Sequence, residues 1–254
     1  KQFYDSQKEV VADTYEHVRW QADEARRRDY DQTAAIVREV LSRHCPGGAA
    51  IEVGCGPGTW TQVLREFFDV IRAVDISQQM LTSARARITD SKVTFVCADF
   101  QNADQSGVFD VLFSSRAIEY MDKSTAVKTI NRMLKSGGTA VIITKNPVFL
   151  YRWADLLGKR LAGKRPDRLH DDQIAYSRLR ELFRSNGFDE VRVYPAVFDV
   201  YLPLSRFAAI RNVQLLLSRV LWERWGLRPM RRFLMPVTES YVLVARKSES
   251  DTRL

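Results

Sequence analysis

The sequence predicts an α/β fold, a doubly wound, mostly parallel sheet with helices on both faces. Three observations carry that expectation. Short apolar runs alternate with helical stretches from Ala49 to Thr144. A glycine loop leaves the first apolar run. Carboxylates close the second and third runs, at Asp75 and Asp99. Alternation of this kind builds parallel strands joined by crossover helices.

Taken in order, apolar positions at Tyr4, Val11, Tyr15 and Val18 predict a helix over 3–28, ending near Arg26-Arg27-Arg28. A second helix runs from Gln32 to His44, and Pro46-Gly47-Gly48 stops it. Strands follow at 49–53, 70–74, 93–97, 108–113 and 139–144, with helices at 59–68, 77–88 and 124–134. A helix over 176–185 ends at Asn186-Gly187. A strand over 191–198, a long insertion and a last strand over 237–246 complete the chain. The expected domains are an N-terminal helical lid (1–48), an α/β domain (49–200 and 236–247), a helical insertion (201–235) and a disordered tail (248–254).

Net charge is +8, and it is unevenly placed. Residues 1–143 carry 18 Lys and Arg against 19 Asp and Glu, whereas residues 144–254 carry 21 against 12. The basic half points to a membrane surface, a nucleic acid or an anionic substrate. The first 24 residues hold no apolar signal region, and no run of about 18 apolar residues is present. Three cysteines, Cys45, Cys55 and Cys97, have no metal-ligand spacing and form an odd set. A reducing cytoplasm is the expected location.

The loop reads Glu52-Val53-Gly54-Cys55-Gly56-Pro57-Gly58. Glycines there permit positive φ and let backbone approach a ligand, and the helix that follows presents a positive dipole end. Thr59 stands where a nicotinamide fingerprint needs its third glycine. Asp75, followed by Ile76, is placed to accept from a ribose diol, and Asp99 from an adenine amino group with Phe100 beside the ring. These residues resemble the class I S-adenosylmethionine (SAM)-dependent methyltransferases, closely over 49–145. The resemblance implies a seven-stranded Rossmann-like sheet and SAM as cofactor. It assigns Glu52 and Gly54, Cys55, Gly56 and Gly58 to the methionine half and sulfonium region. Asp75 would bind ribose, Asp99 adenine, and Ser114 and Ser115 would approach the methionine amino group. Tyr15, in a helix that often lids the cofactor, is either a cofactor contact or core.

Methyl transfer needs a base only if the acceptor must lose a proton, as a hydroxyl must. Many relatives place a histidine after the fourth strand; here the residues are Glu119-Tyr120. They either polarise the acceptor and shape its pocket, or orient the loop. His170, in Leu169-His170-Asp171-Asp172, is the preferred base, its alternative being a surface residue beside a helix cap. No metal set is expected.

The stretch 203–235 holds seven arginines and one glutamate among Leu215-Leu216-Leu217, Trp222, Trp225 and Phe233. Ala209, Val213, Leu216, Leu217 and Val220 share one helical face. Such a segment is either membrane-interfacial or a cap over the active site. Thr144-Lys145-Asn146-Pro147, His170-Asp171 and Tyr241–Lys247 look similar to the ubiquinone-pathway O-methyltransferases. That likeness implies oxygen methylation of a hydrophobic or lipid-linked small molecule, with an anionic membrane as a candidate partner. The alternatives are a nucleic-acid (RNA) methyltransferase and an N- or C-methyltransferase of a small metabolite. Against nucleic acid stands the absence of a base-flipping Pro-Pro-Tyr/Phe motif after the fourth strand.

Overall fold

A computed structural model describes residues 24–44, 47–102, 106–150, 160–161, 163, 173–199 and 208–249. Helix α1 (Glu24–His44) leads into strand β1 (Ala49–Val53), followed by α2 (Thr59–Leu64), β2 (Val70–Asp75), α3 (Gln78–Arg87) and β3 (Val93–Cys97). Then come β4 (Phe109–Ser115), α4 (Lys123–Met133), β5 (Leu134–Lys145), α5 (Tyr176–Arg184), β6 (Phe188–Phe198), α6 (Ala208–Trp225) and β7 (Thr238–Lys247). Short 3₁₀ turns occupy Phe100–Asn102, Ile118–Tyr120 and Arg232–Val237.

The seven strands lie in the order β3-β2-β1-β4-β5-β7-β6. Neighbours from β3 to β5 are parallel, and β7 runs antiparallel between β5 and β6. The chain winds outward from β1 to β3, returns to β4 and winds the other way. A crevice therefore opens at the carboxyl ends of β1 and β4, the place where open α/β sheets receive ligands. Register brings the crevice residues level: Val53 pairs with Val74 and Ser114, and Asp75 with Cys97.

Both faces are covered, as the apolar runs require. On one side Ala126, Val127, Ile130 and Met133 of α4 and Leu179 and Phe183 of α5 pack over Ile51, Leu112, Ile142 and Leu243. On the other, Ile36, Val37, Val40 and Leu41 of α1 join Trp60, Val63 and Leu64 of α2 over Ala50, Val111, Phe113 and Val141.

Two expectations are corrected. The predicted break between Arg28 and Gln32 does not exist. One helix runs through Asp29-Tyr30-Asp31, because its buried face (Thr33, Ala34, Ile36, Val37, Val40, Leu41) is held against the sheet. Ser248 and Glu249, placed in a tail, are tied down: Ser248 N donates to Gly187 O at 3.0 Å, and Arg246 pairs with Glu249 at 2.8 Å. Residues 1–23 and 250–254 lie outside the described residues, Tyr15 among them.

Candidate functional site

The glycine loop is built by its own backbone. Gly54 N and Cys55 N both donate to Val74 O, at 2.8 and 3.1 Å, and Gly58 N to Cys55 O at 3.1 Å. Gly54, Gly56 and Gly58 have φ of 73°, 54° and 89°, in the left-handed region that glycine enters without cost. A Cβ on Gly54 would collide with the Ala117 Cβ, and one on Gly58 would lie 2.7 Å from Ile88 Cδ1. At Gly56 a Cβ would meet nothing within 4 Å. The loop is packed from behind at Gly54 and Gly58 and faces open space at Gly56, as a cradle for a ligand would.

Asp75 sits beside that open side. Its Oδ2 accepts from Gly56 N and its Oδ1 from Ser77 N, both at 2.8 Å. Each oxygen keeps a second lone pair, enough for the two hydroxyls of a diol. Burial nevertheless raises its pKa against those bonds. Ile76, 45% exposed, presents an apolar surface next to it. Asp99 is exposed and caps the turn that follows β3: Oδ1 accepts from Gln101 N at 3.0 Å and Oδ2 from Asn102 Nδ2 at 3.3 Å.

Glu52 is buried in β1, and Thr61 Oγ1 donates to its Oε2 at 2.5 Å. Burial pushes its pKa to about 8, with the Asp75 charge adding and the Thr61 bond opposing. Ser114 is buried and spends its hydroxyl proton on Val53 O at 3.1 Å, fastening β4 to β1. Ser115 is half-buried at the strand end.

Three further residues of the expected site are buried. Phe100 is buried, in the same apolar cluster as Ile118 and the α4 side chains. Cys55 buries its thiol against Ala73 and Leu81, so only its backbone belongs to the loop. Burial there raises the thiol pKa far above its ordinary value. Glu119 is turned inward: Oε1 accepts from Thr144 Oγ1 at 2.8 Å and Lys145 N at 2.9 Å, with Arg116 Nε at 3.4 Å. It clamps the 3₁₀ turn to the end of β5. Tyr120 next to it is about half exposed and faces solvent. His170 lies outside the described residues.

Sequence reasoning gave three residues here no role. Arg116 is the one non-glycine among the described residues with positive φ (63°), a strained conformation of about 1–3 kcal/mol directly after β4. Thr61, nine residues from Glu52, follows no motif. Asn146 is buried and receives Val148 N on its Oδ1, while its Nδ2 donates to Met235 O and Thr238 O at 2.9 and 2.8 Å. It pins the insertion to the end of β5.

Helix α6 places the stripe Val213, Leu216, Leu217 and Val220 outward, each 41–59% exposed, and turns Ser218 inward to 1%. At its end Trp225 stacks edge-on with Phe233, centroids 5.5 Å apart. The guanidinium carbons of Arg224, Arg228 and Arg231 lie 5.9, 5.6 and 4.9 Å from the Trp225 ring. Among the described residues no helix is long and apolar enough to cross a membrane.

A family model described as a methyltransferase domain matches residues 51–142. Over 99 residues the chain is 29% identical to a malonyl-[acyl-carrier protein] O-methyltransferase of Priestia megaterium, covering 38% of this chain and 36% of that protein. It is 30% identical over 105 residues to a ubiquinone biosynthesis O-methyltransferase of Methylococcus capsulatus, covering 39% and 44%. It is 26% identical over 174 residues to a demethylmenaquinone methyltransferase of Alkalihalophilus pseudofirmus, covering 59% and 74%. The chain spans only about a third to a half of the first of these relatives. Among solved structures, a methyltransferase in complex with the Trm112 activator from Haloferax volcanii superposes with TM-score 0.59 at 19% identity, over 91% and 96% of the two chains. The YcgJ protein of Bacillus subtilis does so with TM-score 0.59 at 14% identity, over 87% and 100%. Residues 51–142 thus match a methyltransferase-domain model, and they lie in a seven-stranded sheet whose fold is shared with these solved structures.

Proposed function

We propose that the protein transfers the methyl group of SAM to an oxygen of a hydrophobic or lipid-linked small molecule that it meets at an anionic membrane. SAM supplies an activated methyl on a sulfonium, so the protein chiefly orients, desolvates and removes a proton. Asp75 takes the ribose hydroxyls, Asp99 the adenine amino group, and Glu52 the methionine end beside Gly56. Bound SAM would supply the methyl group from its sulfonium and leave as the neutral thioether, and the acceptor hydroxyl would give up its proton. His170 is the residue assigned to take it. Two relatives are named as O-methyltransferases, of a carrier-linked malonyl group and of ubiquinone biosynthesis. Incubation with labelled SAM and separate lipid, polar small-molecule and RNA extracts should place the label in the lipid fraction. Label in RNA would overturn the reading.

The observation that carries the membrane reading is the outward apolar stripe of α6, ending in a Trp225 ringed by three arginines. Aromatic rings suit the lipid interface, and each basic residue near anionic lipid contributes about 1 kcal/mol. Binding to anionic liposomes should be strong at low salt. It should weaken without vanishing at 1 M, where the Debye length is about 3 Å instead of about 10 Å at 0.1 M. Neutral liposomes should bind weakly. Replacing Arg228, Arg231 and Arg232 with Gln should remove the salt-sensitive part and leave SAM affinity alone. No sedimentation with anionic liposomes at low salt would reduce α6 to a cap.

Glu52 makes cofactor binding pH-dependent. Its pKa of about 8 keeps it largely protonated at neutral pH. An ammonium group docking on it selects the carboxylate form, so binding should release a proton and tighten from pH 6 to 7.5. Above that, titration of the ligand's own amino group (about 7.7–8.0) should flatten the gain. Calorimetry in two buffers of different ionisation enthalpy reads the proton count. A count of zero at pH 7 would remove Glu52 from the methionine end.

A further inference from the structure

The exposed stripe of α6 runs into a cluster of positive charge. Val213, Leu217, Val220 and Arg224 stand on one helical face, at intervals of four, three and four residues. The apolar part, Val213 to Val220, is exposed and about 10 Å long at a rise of 1.5 Å per residue. Arg224 closes it. The chain then turns and brings Arg228 and Arg231 back to the ring that Arg224 approaches, with all three guanidinium carbons 4.9–5.9 Å from the Trp225 centroid.

Backbone bonds hold this arrangement. Gly226 N donates to Trp222 O at 2.8 Å and Arg228 N to Trp225 O at 3.0 Å, which fixes the turn at the residues that carry the arginines. A Cβ on Gly226 would collide with the Trp222 ring, so the turn passes close over it. Met230 N donates to Val193 O and fastens the turn to β6, and Leu234 N donates to Arg231 O at 2.9 Å.

The charge is unbalanced. Among the described residues no carboxylate pairs with Arg224, Arg228, Arg231 or Arg232, and the neighbouring Glu223 is taken by Arg219 at 2.8 Å. All four arginines are exposed. A ring face attracts each guanidinium, but the guanidiniums repel one another. Gathering three of them at one ring without a counter-charge gains the fold little. It does present three planar donor forks to one anion.

The anion that answers three forks is a phosphomonoester. Its terminal phosphate offers three unesterified oxygens and close to two negative charges at neutral pH. A phosphodiester or a carboxylate offers two such oxygens and one charge. The stripe that leads to the forks calls for an apolar chain on the same molecule, which a nucleic acid lacks. We infer that the end of α6 is a headgroup site for a lipid phosphomonoester, with the phosphate among Arg224, Arg228 and Arg231 and the chain along Val213 to Val220. The lipid part rests on the membrane reading above; the phosphate part does not. Diffuse attraction to anionic lipid counts charge alone, whereas this site distinguishes the ester.

Two short-chain lipids test the site without a membrane: dihexanoyl phosphatidic acid, a monoester, and dihexanoyl phosphatidylglycerol, a diester. Each is titrated by NMR against the whole chain, below its micelle concentration. At pH 7.5 the monoester should bind saturably and at least tenfold tighter than the diester. At pH 5 the preference should shrink, because the second phosphate proton returns with a pKa of about 6 while a guanidinium keeps its charge. Replacing Arg224, Arg228 and Arg231 together with Lys keeps the charge and removes the forks. That variant should retain its circular dichroism and SAM affinity and lose at least fivefold of the preference. A monoester bound no better than the diester, or a lysine variant with the full preference, would overturn the inference. Glycerol 3-phosphate should bind at least tenfold more weakly than the dihexanoyl monoester; equal binding would make the ligand a soluble phosphate ester and sink the lipid assignment. Single-stranded RNA bound as tightly as the monoester would sink it in favour of a nucleic acid. Phosphatidylcholine–phosphatidylglycerol vesicles separate the two readings. Vesicle binding without a monoester preference would keep the membrane reading and remove the headgroup site; a monoester preference in solution without vesicle binding would do the reverse.

Discussion

Replacing Gly54 with valine should lower the protein's stability by about 2–5 kcal/mol and abolish SAM binding. A non-glycine residue held in the left-handed region costs roughly 1–2 kcal/mol, and overpacking a tight contact adds about 1–3 kcal/mol. Gly54 has both problems, a φ of 73° and the Ala117 Cβ against its own. For a chain of this size the melting temperature should fall by roughly 10 °C. Gly56→Val is the contrast. Its side chain would enter open space, so only the left-handed backbone cost of roughly 1–2 kcal/mol remains, and the melting temperature should fall less than in Gly54→Val while cofactor affinity is lost. Scanning calorimetry and SAM titration of both variants read the difference. A Gly54→Val protein that melts and binds as wild type does would refute the loop geometry.

Asp75→Ala should weaken SAM by about 1.5–3 kcal/mol, a 10- to 150-fold rise in Kd, the range for hydrogen bonds to a charged group. The substitution removes the acceptor expected for the ribose and also the one that holds Gly56 N and Ser77 N. Asp75→Asn should fall between, because its single carbonyl oxygen can serve only one of those sides. Titration calorimetry on folded protein is the measurement. Unchanged affinity in Asp75→Ala would move the ribose elsewhere.

The sheet was legible because its signal is local: an apolar run, a glycine or capping residue, then a helical period. Ser77 shows how well this works. Its hydroxyl caps α3 by accepting from Met80 N at 3.4 Å, within one residue of the expected helix start. The acids at the strand ends were legible for the same reason, since parallel strands bring their carboxyl ends to one edge. Direction was less legible: Phe100 and Glu119 are both buried, and nothing in their local sequence says so. Helix α6 failed in a related way. Both of its apolar faces could be drawn on a wheel, and which faces inward is decided by tertiary partners such as Trp222 against the sheet and Ser218 beneath it.

The way α6 is attached carries a consequence for how such a protein changes over time. Strands β6 and β7 are antiparallel neighbours, paired as far as Phe198 with Thr238, and Asp199 N still donates to Val237 O at 3.0 Å. The chain thus leaves the sheet and re-enters it at adjacent points, where a turn of two residues would suffice to join the strands. Everything between 200 and 236 is a detour hung on a closed hairpin. Such a segment can lengthen, shorten or be exchanged without breaking a strand or shifting a register, while the glycine loop and its acids stay fixed on the opposite flank of the sheet. The segment and the crevice are therefore free to vary independently. A hairpin-closed deletion of this detour should retain the sheet and its cofactor crevice.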